Sequence, residues 1–539
     1  MAEILFEMTK LNAQGGLGNI QVSGGLRQTT FVSDGPEITQ VVIVQNGGGW
    51  KHLLKRTLAY IFYLKNGTRG SYSGFRMHNT GTKQDQAAAA GEIFSLLCVA
   101  GALAATPFLD RLTDVLLLLS TFLFAVICRY SRRYLAGDPG QARFYFWLCC
   151  TGSCVFALIL AQNLLLFAFA WLAMSLSLHQ LLQFYPNRPG ALLAARKKFL
   201  ISRLGDCALA GALVLTYRVF GTWDFRTLFA AAESLRAGGH IPVSVSLVAC
   251  LLVFAAMLKS AQFPFHSWLP DTMETPTPVS ALMHAGIINA GGILVIRLSP
   301  IVSLSPVALT ALTVVGAFTA VFGSVVALTQ ASVKRCLAFS TVAQMGFMML
   351  ECGLGAFHLA LLHLAAHSLY KAYSFLSSGS VVSTTPPRAA AATGVAALVA
   401  GSLPALLAWW TSFAQFDQPV LSGIFFLGVA QLLWSSKRGW QAITGILVAV
   451  FLTAVYLGLE TAASTVVTPL HIHANGVLSA GILVLFLLTA LLQSQLPRIW
   501  QTDAVSRFYV HARNGFYFNT LANRLTMAVW PVQHTERSF

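Results

Sequence analysis

Charge is what this chain has least of. Of its 539 residues only 10% are Asp, Glu, Lys or Arg, against 56% hydrophobic. A soluble domain carries about 25% charged residues, so a water-facing globule is excluded. Cysteine is sparse and odd in number. The nine cysteines lie mostly in apolar stretches (Cys98, Cys128, Cys149, Cys150, Cys154, Cys207, Cys250), with no C-x-x-C pair. A disulfide framework and a zinc site are thereby excluded, and the thiols read as small buried side chains. Residues 1–90 lack any apolar run long enough to span a bilayer, and their best piece, Leu58 to Leu64, is far too short. They also lack a signal peptide of the usual design. Acid is scarce as well, which leaves a net charge of +16. In a membrane protein that excess reports basic cytoplasmic loops, so no nucleic-acid partner is expected.

What is present is a series of apolar runs that only helices can carry across lipid. Candidate spans are 92–108, 113–128, 143–161, 163–184, 199–220, 243–263, 275–297, 302–329, 336–352, 355–378, 389–411, 418–435, 440–459 and 475–494, about 14 in all. The fold class is an all-α polytopic membrane protein. Residues 1–90 read as a polar, poorly ordered cytoplasmic extension, 91–495 as the membrane domain, and 496–539 as a basic cytoplasmic tail. Basic residues recur after the even spans: Arg129, Arg132, Arg133 and Arg143; Arg188, Arg196, Lys197 and Lys198; Lys334 and Arg335; Arg388; Lys437 and Arg438; Arg498, Arg507 and Arg513. The positive-inside rule then puts both termini in the cytoplasm.

Against this background the intramembrane ionisable residues stand out. Lys259 lies in an apolar run five residues ahead of Pro264. A buried ammonium is costly and marks a functional site by default, and a helix break beside it is how transporters build ion sites at mid-membrane. The alternative is a lysine near a helix end that snorkels to the headgroups. In AFHLALLHLAAHSLYKAYSF, His363, His367 and Lys371 recur every four residues and share one helix face. Histidine titrates near neutrality, so that face suits proton relay. Metal binding there is the weaker reading, since no carboxylate or cysteine is near in sequence. Histidines satisfied by backbone carbonyls of neighbouring helices are the structural alternative. His284 lies one to two turns inside the span that Pro276 and Pro278 open. Asp271 and Glu274, just before it, read as solvated. Arg203 and Asp206, three apart, can pair with each other. Lys334 can point inward, and Glu351 reaches the opposite interface. A second break near Pro404 lies five spans after the one at Pro264. That odd offset puts the two units in opposite orientation, as in an inverted repeat of spans 3–7 and 8–12.

The segments KSAQFPFHSWLPDTMETPTPVSALMHAGIINAGG and QASVKRCLAFSTVAQMGFMM resemble the antiporter-like subunits of respiratory complex I, its L subunit above all, and of Mrp antiporters. The resemblance runs from about residue 95 to 495. It implies a 14-helix bundle of two inverted five-helix repeats that carries protons. It also implies the roles of central lysine for Lys259, of the next helix's histidine for His284, and of bridging lysine for Lys334. His363, His367 and Lys371 match the histidines and lysine of the eleventh helix. Three departures stand out. The family's Trp-Glu step is here Trp171-Leu172, the terminal lysine of the broken twelfth helix is missing from GSLPALLAWWTSFAQ, and little follows residue 495 where a long lateral helix would lie. Together with RYSRRYLAGDPGQARF, SLHQLLQFYPNRP and QMGFMMLECGLGAF, these features resemble the DabB family instead, the complex I-like membrane subunits of bacterial DAB inorganic carbon accumulation systems.

That resemblance implies an inner-membrane transport subunit that is not itself an enzyme and carries no cofactor. Its partner would be a DabA-like, zinc-binding, carbonic-anhydrase-like subunit on the cytoplasmic side. Protons, or sodium as the less favoured ion, would enter by His363, His367 and Lys371, pass Lys334 and His284, and reach Lys259. With Leu172 in place of a glutamate, Lys259 is expected to work unpaired, with His179 as an auxiliary partner. The competing readings are a proton-pumping L-type subunit of NADH-quinone oxidoreductase, an Mrp-type Na+/H+ antiporter subunit, and a non-transporting anchor. The buried His and Lys row counts against the last.

Overall fold

The computed structural model describes residues 83–380, 419–434, 440–470, 476–499 and 502–531. It is helical throughout these segments. The helices are α1 (Lys83–Ala105), α2 (Arg111–Tyr134), α3 (Gln141–Leu160), α4 (Leu164–Leu182), α5 (Pro189–Phe220), α6 (Phe225–Gly238), α7 (Val243–Lys259), α8 (Thr277–Ala285), α9 (Ala290–Arg297), α10 (Pro306–Thr329), α11 (Val333–Gly353), α12 (Phe357–Leu376), α13 (Pro419–Trp434), α14 (Trp440–Val466), α15 (Gly476–Ile499), α16 (Asp503–Arg513) and α17 (Phe518–Val529). Among the described residues nine helices are long and apolar enough to cross a membrane, with α8 and α9 together forming one of them. Two more, Val243–Lys259 and Gly476–Leu492, are apolar but shorter. Every candidate span except 389–411 falls on a helix. That span, Pro404 within it and residues 1–82 lie outside the described residues.

Apolar side chains line both the inside and the outside of this bundle. Ile93, Leu96, Leu97 and Leu103 on α1, and Val477 and Leu488 on α15, are well exposed. In water such a surface would be an aggregation hazard, but facing lipid it is required. The 277–297 and 333–353 helices are instead almost wholly enclosed. Glycine explains how α10 and α11 come so close. A Cβ on Gly346 would meet the Ala320 backbone nitrogen at 2.5 Å, and one on Gly353 would meet that of Thr313 at 2.5 Å. Small residues at such crossings let backbones touch, which is the main source of helix association in lipid. Outside the spans, Asp224 caps α6 by accepting the Thr227 N–H at 3.0 Å. That hydrogen bond holds its carboxyl below the usual range.

Several expectations need correction. Residues 83–90 belong to α1 and not to a disordered extension, because the Ala87–Ala90 run is strongly helix-forming. Helix α5 starts at Pro189, ten residues before the expected span, since proline fits the first helical turn. Lys197 and Lys198, expected in a basic loop, are therefore helical and 1% and 2% exposed. The break beside Lys259 begins at the lysine itself, which ends α7 with Ser260 as its cap. Proline at 264 disfavours helix in the residues before it, and Ala261 is held at φ +50°. A second break, unforeseen, interrupts the 277–297 helix at Gly286 (φ −125°, ψ −69°). Within the expected tail, residues 503–513 and 518–529 form helices α16 and α17. Asn519 on α17 donates to Asp271 Oδ1 (2.9 Å) and accepts from Lys197 Nζ (2.5 Å). Phe518 packs against Phe263 in the break at 4.7 Å between ring centroids, and Arg196 donates to the Pro531 carbonyl at 2.6 Å.

Candidate functional site

Two groups of buried ionisable residues form, each beside a helix that stops inside the bundle. The first surrounds Lys259. As the last residue of α7 its ammonium lies at the negative end of the helix dipole. The residue is 6% exposed, and Nζ has no hydrogen-bond acceptor among the described residues. Its ammonium lies 4.4 Å from the ring centroid of Trp171 on α4. Such a contact is worth about 2 kcal/mol when both groups are desolvated. The Nε1 edge of the same indole is occupied as well. Trp171 Nε1–H donates to Asp206 Oδ1 at 3.0 Å, and Asp206 Oδ2 pairs with Arg203 at 2.7 Å. Ser175, one turn beyond Trp171, accepts Lys198 Nζ at its carbonyl and its hydroxyl, both at 2.9 Å. Three cations thus gather around one carboxylate, and one indole contacts both that carboxylate, at its Nε1 edge, and Lys259, on its face.

The second group runs along the contact of α11 and α12. His363 Nδ1 lies 2.9 Å from Glu351 Oε2, and both side chains are 8% exposed. The His367 ring follows at 6.2 Å from that of His363. Lys371 Nζ then donates to the Leu337 carbonyl at 3.3 Å and to the Ser340 hydroxyl. His284, in the last turn of α8, bonds Thr341 Oγ1 through Nδ1 at 3.0 Å and stacks on Phe375 at 4.3 Å. Its electrostatic neighbours are Lys371 and His367. Near Glu351 a second pair forms between His358 Nε2 and Glu460 Oε1 of α14, at 3.9 Å.

The break at Gly286 touches both groups. Ser260, capping α7, donates to the Ile288 carbonyl at 2.9 Å, and Asn289 donates to Ser368 on α12 at 2.8 Å. Gly291 packs there against the Ala256 carbonyl, where a Cβ would sit at 2.4 Å. This irregular backbone is buried in protein, the setting in which a membrane tolerates it.

The expected residues thus separate. His284, His363, His367 and Lys371 come together, and so do Lys259, Arg203 and Asp206. Pro264 lies in the break. Lys334 does not join either group. It sits half-buried in the first turn of α11 with no hydrogen bond or ion pair among the described residues. His179 turns to Gln183 (3.0 Å) and to the Phe199 ring (5.1 Å) and makes no hydrogen bond to Lys259. Glu351, in the last turn of α11, is buried and paired with His363, so the histidine row does have a carboxylate beside it. Asp271 is ion-paired to buried Lys197 at 2.6 Å rather than solvated, while Glu274 is exposed as expected. Sequence reasoning missed Lys198, Trp171, His358 and Glu460. Glu460 carried a usable signal, being the only charge in the apolar run of α14. Among the described residues no group of three or more His, Cys, Asp or Glu is placed to hold a metal ion.

Residues 161–455 match the family model for the transmembrane part of NADH:quinone oxidoreductase/Mrp antiporter proteins. The chain is 39% identical over 452 residues to the probable inorganic carbon transporter subunit DabB2 of Halothiobacillus neapolitanus, covering 80% of this chain and 82% of that one. It is 36% identical over 446 residues to the probable inorganic carbon transporter subunit DabB of Hydrogenovibrio crunogenus, covering 79% and 83%. Among solved structures, the Mrp complex from Dietzia sp. DQ12-45-1b superposes with a TM-score of 0.55 at 21% identity, over 84% of this chain and 58% of that one. At that identity the match speaks for the fold.

Proposed function

Because the chain belongs to the NADH:quinone oxidoreductase/Mrp antiporter membrane family, within its DabB group of inorganic carbon transporter subunits, we propose that it is the proton-conducting subunit of an energy-coupled inorganic carbon uptake complex. Protons enter through the α11–α12 row, pass His284 at the Gly286 break and reach Lys259. There they alter charge next to the α7 break, against which the C-terminal helices pack. A DabA-like, zinc-binding, carbonic-anhydrase-like partner on the cytoplasmic side uses that step to drive one-way hydration of CO2 to bicarbonate. The zinc belongs to the partner, and this chain supplies only the path. The chain would sit in the bacterial inner membrane with both termini cytoplasmic, as a bundle of about 14 helices built from two inverted repeats. One charge crossing 100 mV releases about 2.3 kcal/mol, enough to hold roughly a 50-fold concentration ratio.

The observation that carries this reading is the Lys259–Trp171–Asp206 arrangement. A structural lysine would be neutralised directly or snorkel to water. Here a buried ammonium rests on the face of an indole with no hydrogen-bond acceptor among the described residues, and the Asp206 carboxylate is held at the Nε1 edge of that indole. That leaves its charge free to change. The carboxylate also answers the departure at Leu172, since Asp206 supplies the negative charge from α5. The test is CO2-dependent growth of a carbonic-anhydrase-deficient host expressing the chain with its partner. Lys259→Ala is expected to abolish rescue while the chain still inserts and assembles. Normal rescue by that variant would overturn the role of Lys259.

A further inference from the structure

We propose that Glu351 is the proton-loading carboxylate at the mouth of the second half of the path, with Glu460 as its outer relay. This rests on the reading of the chain as a proton conductor. Helix α11 supplies the placement. Lys334 and Arg335 lie in its first turn and Glu351 lies 17 residues further on, about 25 Å of helical rise. The two ends of one buried helix therefore present basic residues at one membrane face and an acid near the other.

Four titratable groups from three helices meet at the acid end. Glu351 closes α11, His358 and His363 begin α12, and Glu460 comes from α14. Tyr456, one turn before Glu460, is an electrostatic neighbour of both carboxylates. The pairs leave protonation capacity open. His363, with its side chain 8% exposed, uses Nδ1 for Glu351 while its Nε2 has no partner among the described residues. His358 Nδ1 and Glu460 Oε2 are likewise buried without partners among the described residues. Each of these atoms is a place where an arriving proton or a relaying water can bind. With no third ligand gathered at either pair among the described residues, the cation this site suits is a proton and not a metal ion.

The transfer balances on groups in place. A proton arriving from Glu460 binds the Glu351 carboxylate, and the resulting acid donates it to His363 Nδ1. The imidazole then releases its other proton from Nε2 toward His367, and Glu351 is again a carboxylate. The 6.2 Å between the two rings suits one bridging water. Reverse tautomerisation of His363 resets the relay.

The experiment is potential-driven proton uptake into liposomes containing the intact complex, read with an enclosed pH-sensitive dye. Glu351→Gln keeps the shape and can still bond His363, so it is expected to lower flux at least tenfold without loss of assembly. Glu351→Asp should restore much of that flux. In difference infrared spectra the carbonyl stretch of a protonated carboxylic acid should vanish in Glu351→Gln, which a merely structural role would not predict. Wild-type flux in Glu351→Gln would overturn the port while leaving the conductor reading intact. Absence of flux in the wild-type complex would overturn both. Should Glu351→Gln not assemble, Glu460→Gln carries the test: a tenfold loss upholds the port and unchanged flux overturns it.

Discussion

Replacing Asp206 with asparagine tests whether Lys259 is governed by a charge at the edge of the indole on which it rests. The substitution keeps the shape and an oxygen for the Trp171 N–H, and removes only the negative charge. With Nζ 4.4 Å from the ring centroid and Oδ1 3.0 Å from Nε1, the two charges are at most about 10 Å apart, so their attraction at an effective dielectric of ~20 is at least about 1.7 kcal/mol. Losing it moves the balance between charged and neutral Lys259 by roughly 15-fold. Arg203 would meanwhile lose its 2.7 Å partner and add an uncompensated cation to the cluster. Proton flux in liposomes is expected to fall by about that factor. Trp171→Phe keeps a ring face but removes the N–H, which costs about 1 kcal/mol or roughly fivefold. Since both substitutions break one linked unit, the double variant should be no worse than Asp206→Asn alone. A double variant reduced by the product of the two factors would mean that indole and carboxylate act independently. Wild-type flux in Asp206→Asn would refute the argument entirely.

Two other outcomes check the packing that positions the site. Gly346→Val would drive a side chain into the Ala320 backbone of α10 and should cost about 2 kcal/mol or more, read as a lower Tm of the purified complex and a smaller yield. Asn519→Ala removes the hydrogen bonds to Lys197 and Asp271, about 1–3 kcal/mol of tail docking. Limited proteolysis near residues 514–517 should then quicken roughly tenfold, and unchanged cleavage would mean that Phe518 and Trp530 hold the tail without it.

Much of this site was legible in the sequence because two of its signals are one-dimensional. A lysine in an apolar run ahead of a proline, and bases repeating every four residues, need no knowledge of neighbouring helices. The partners were not legible, because they depend on how helices rotate against one another. Nothing along the chain says that the Trp171 edge meets Asp206, or that Glu351 turns in to His363 rather than out. Lys197 and Lys198 were misread for a specific reason. The positive-inside rule counts bases near span ends, and the α5 helix starts ten residues sooner than its hydropathy. The Gly286 break was hidden too, since glycine inside an apolar run is common in membrane helices and only backbone geometry shows which one interrupts.

The link between Lys197 and Asn519 spans 322 residues of sequence, and that separation has a meaning in time. Chains emerge from the ribosome at about 5–20 residues per second, so roughly 15–60 seconds pass between the two. Until α17 is made, Lys197 lacks Asn519 and has only Asp271 of these two partners to meet, and Phe263 lacks its contact with Phe518. Helix α17 therefore covers the break that follows Lys259 only after the rest of the described bundle has been made. A chain that stalls or is clipped before residue 518 leaves the bundle inserted but unfinished. Quality control that recognises an uncovered Phe263 and a half-satisfied Lys197 would have a direct way to tell such a product from the completed protein.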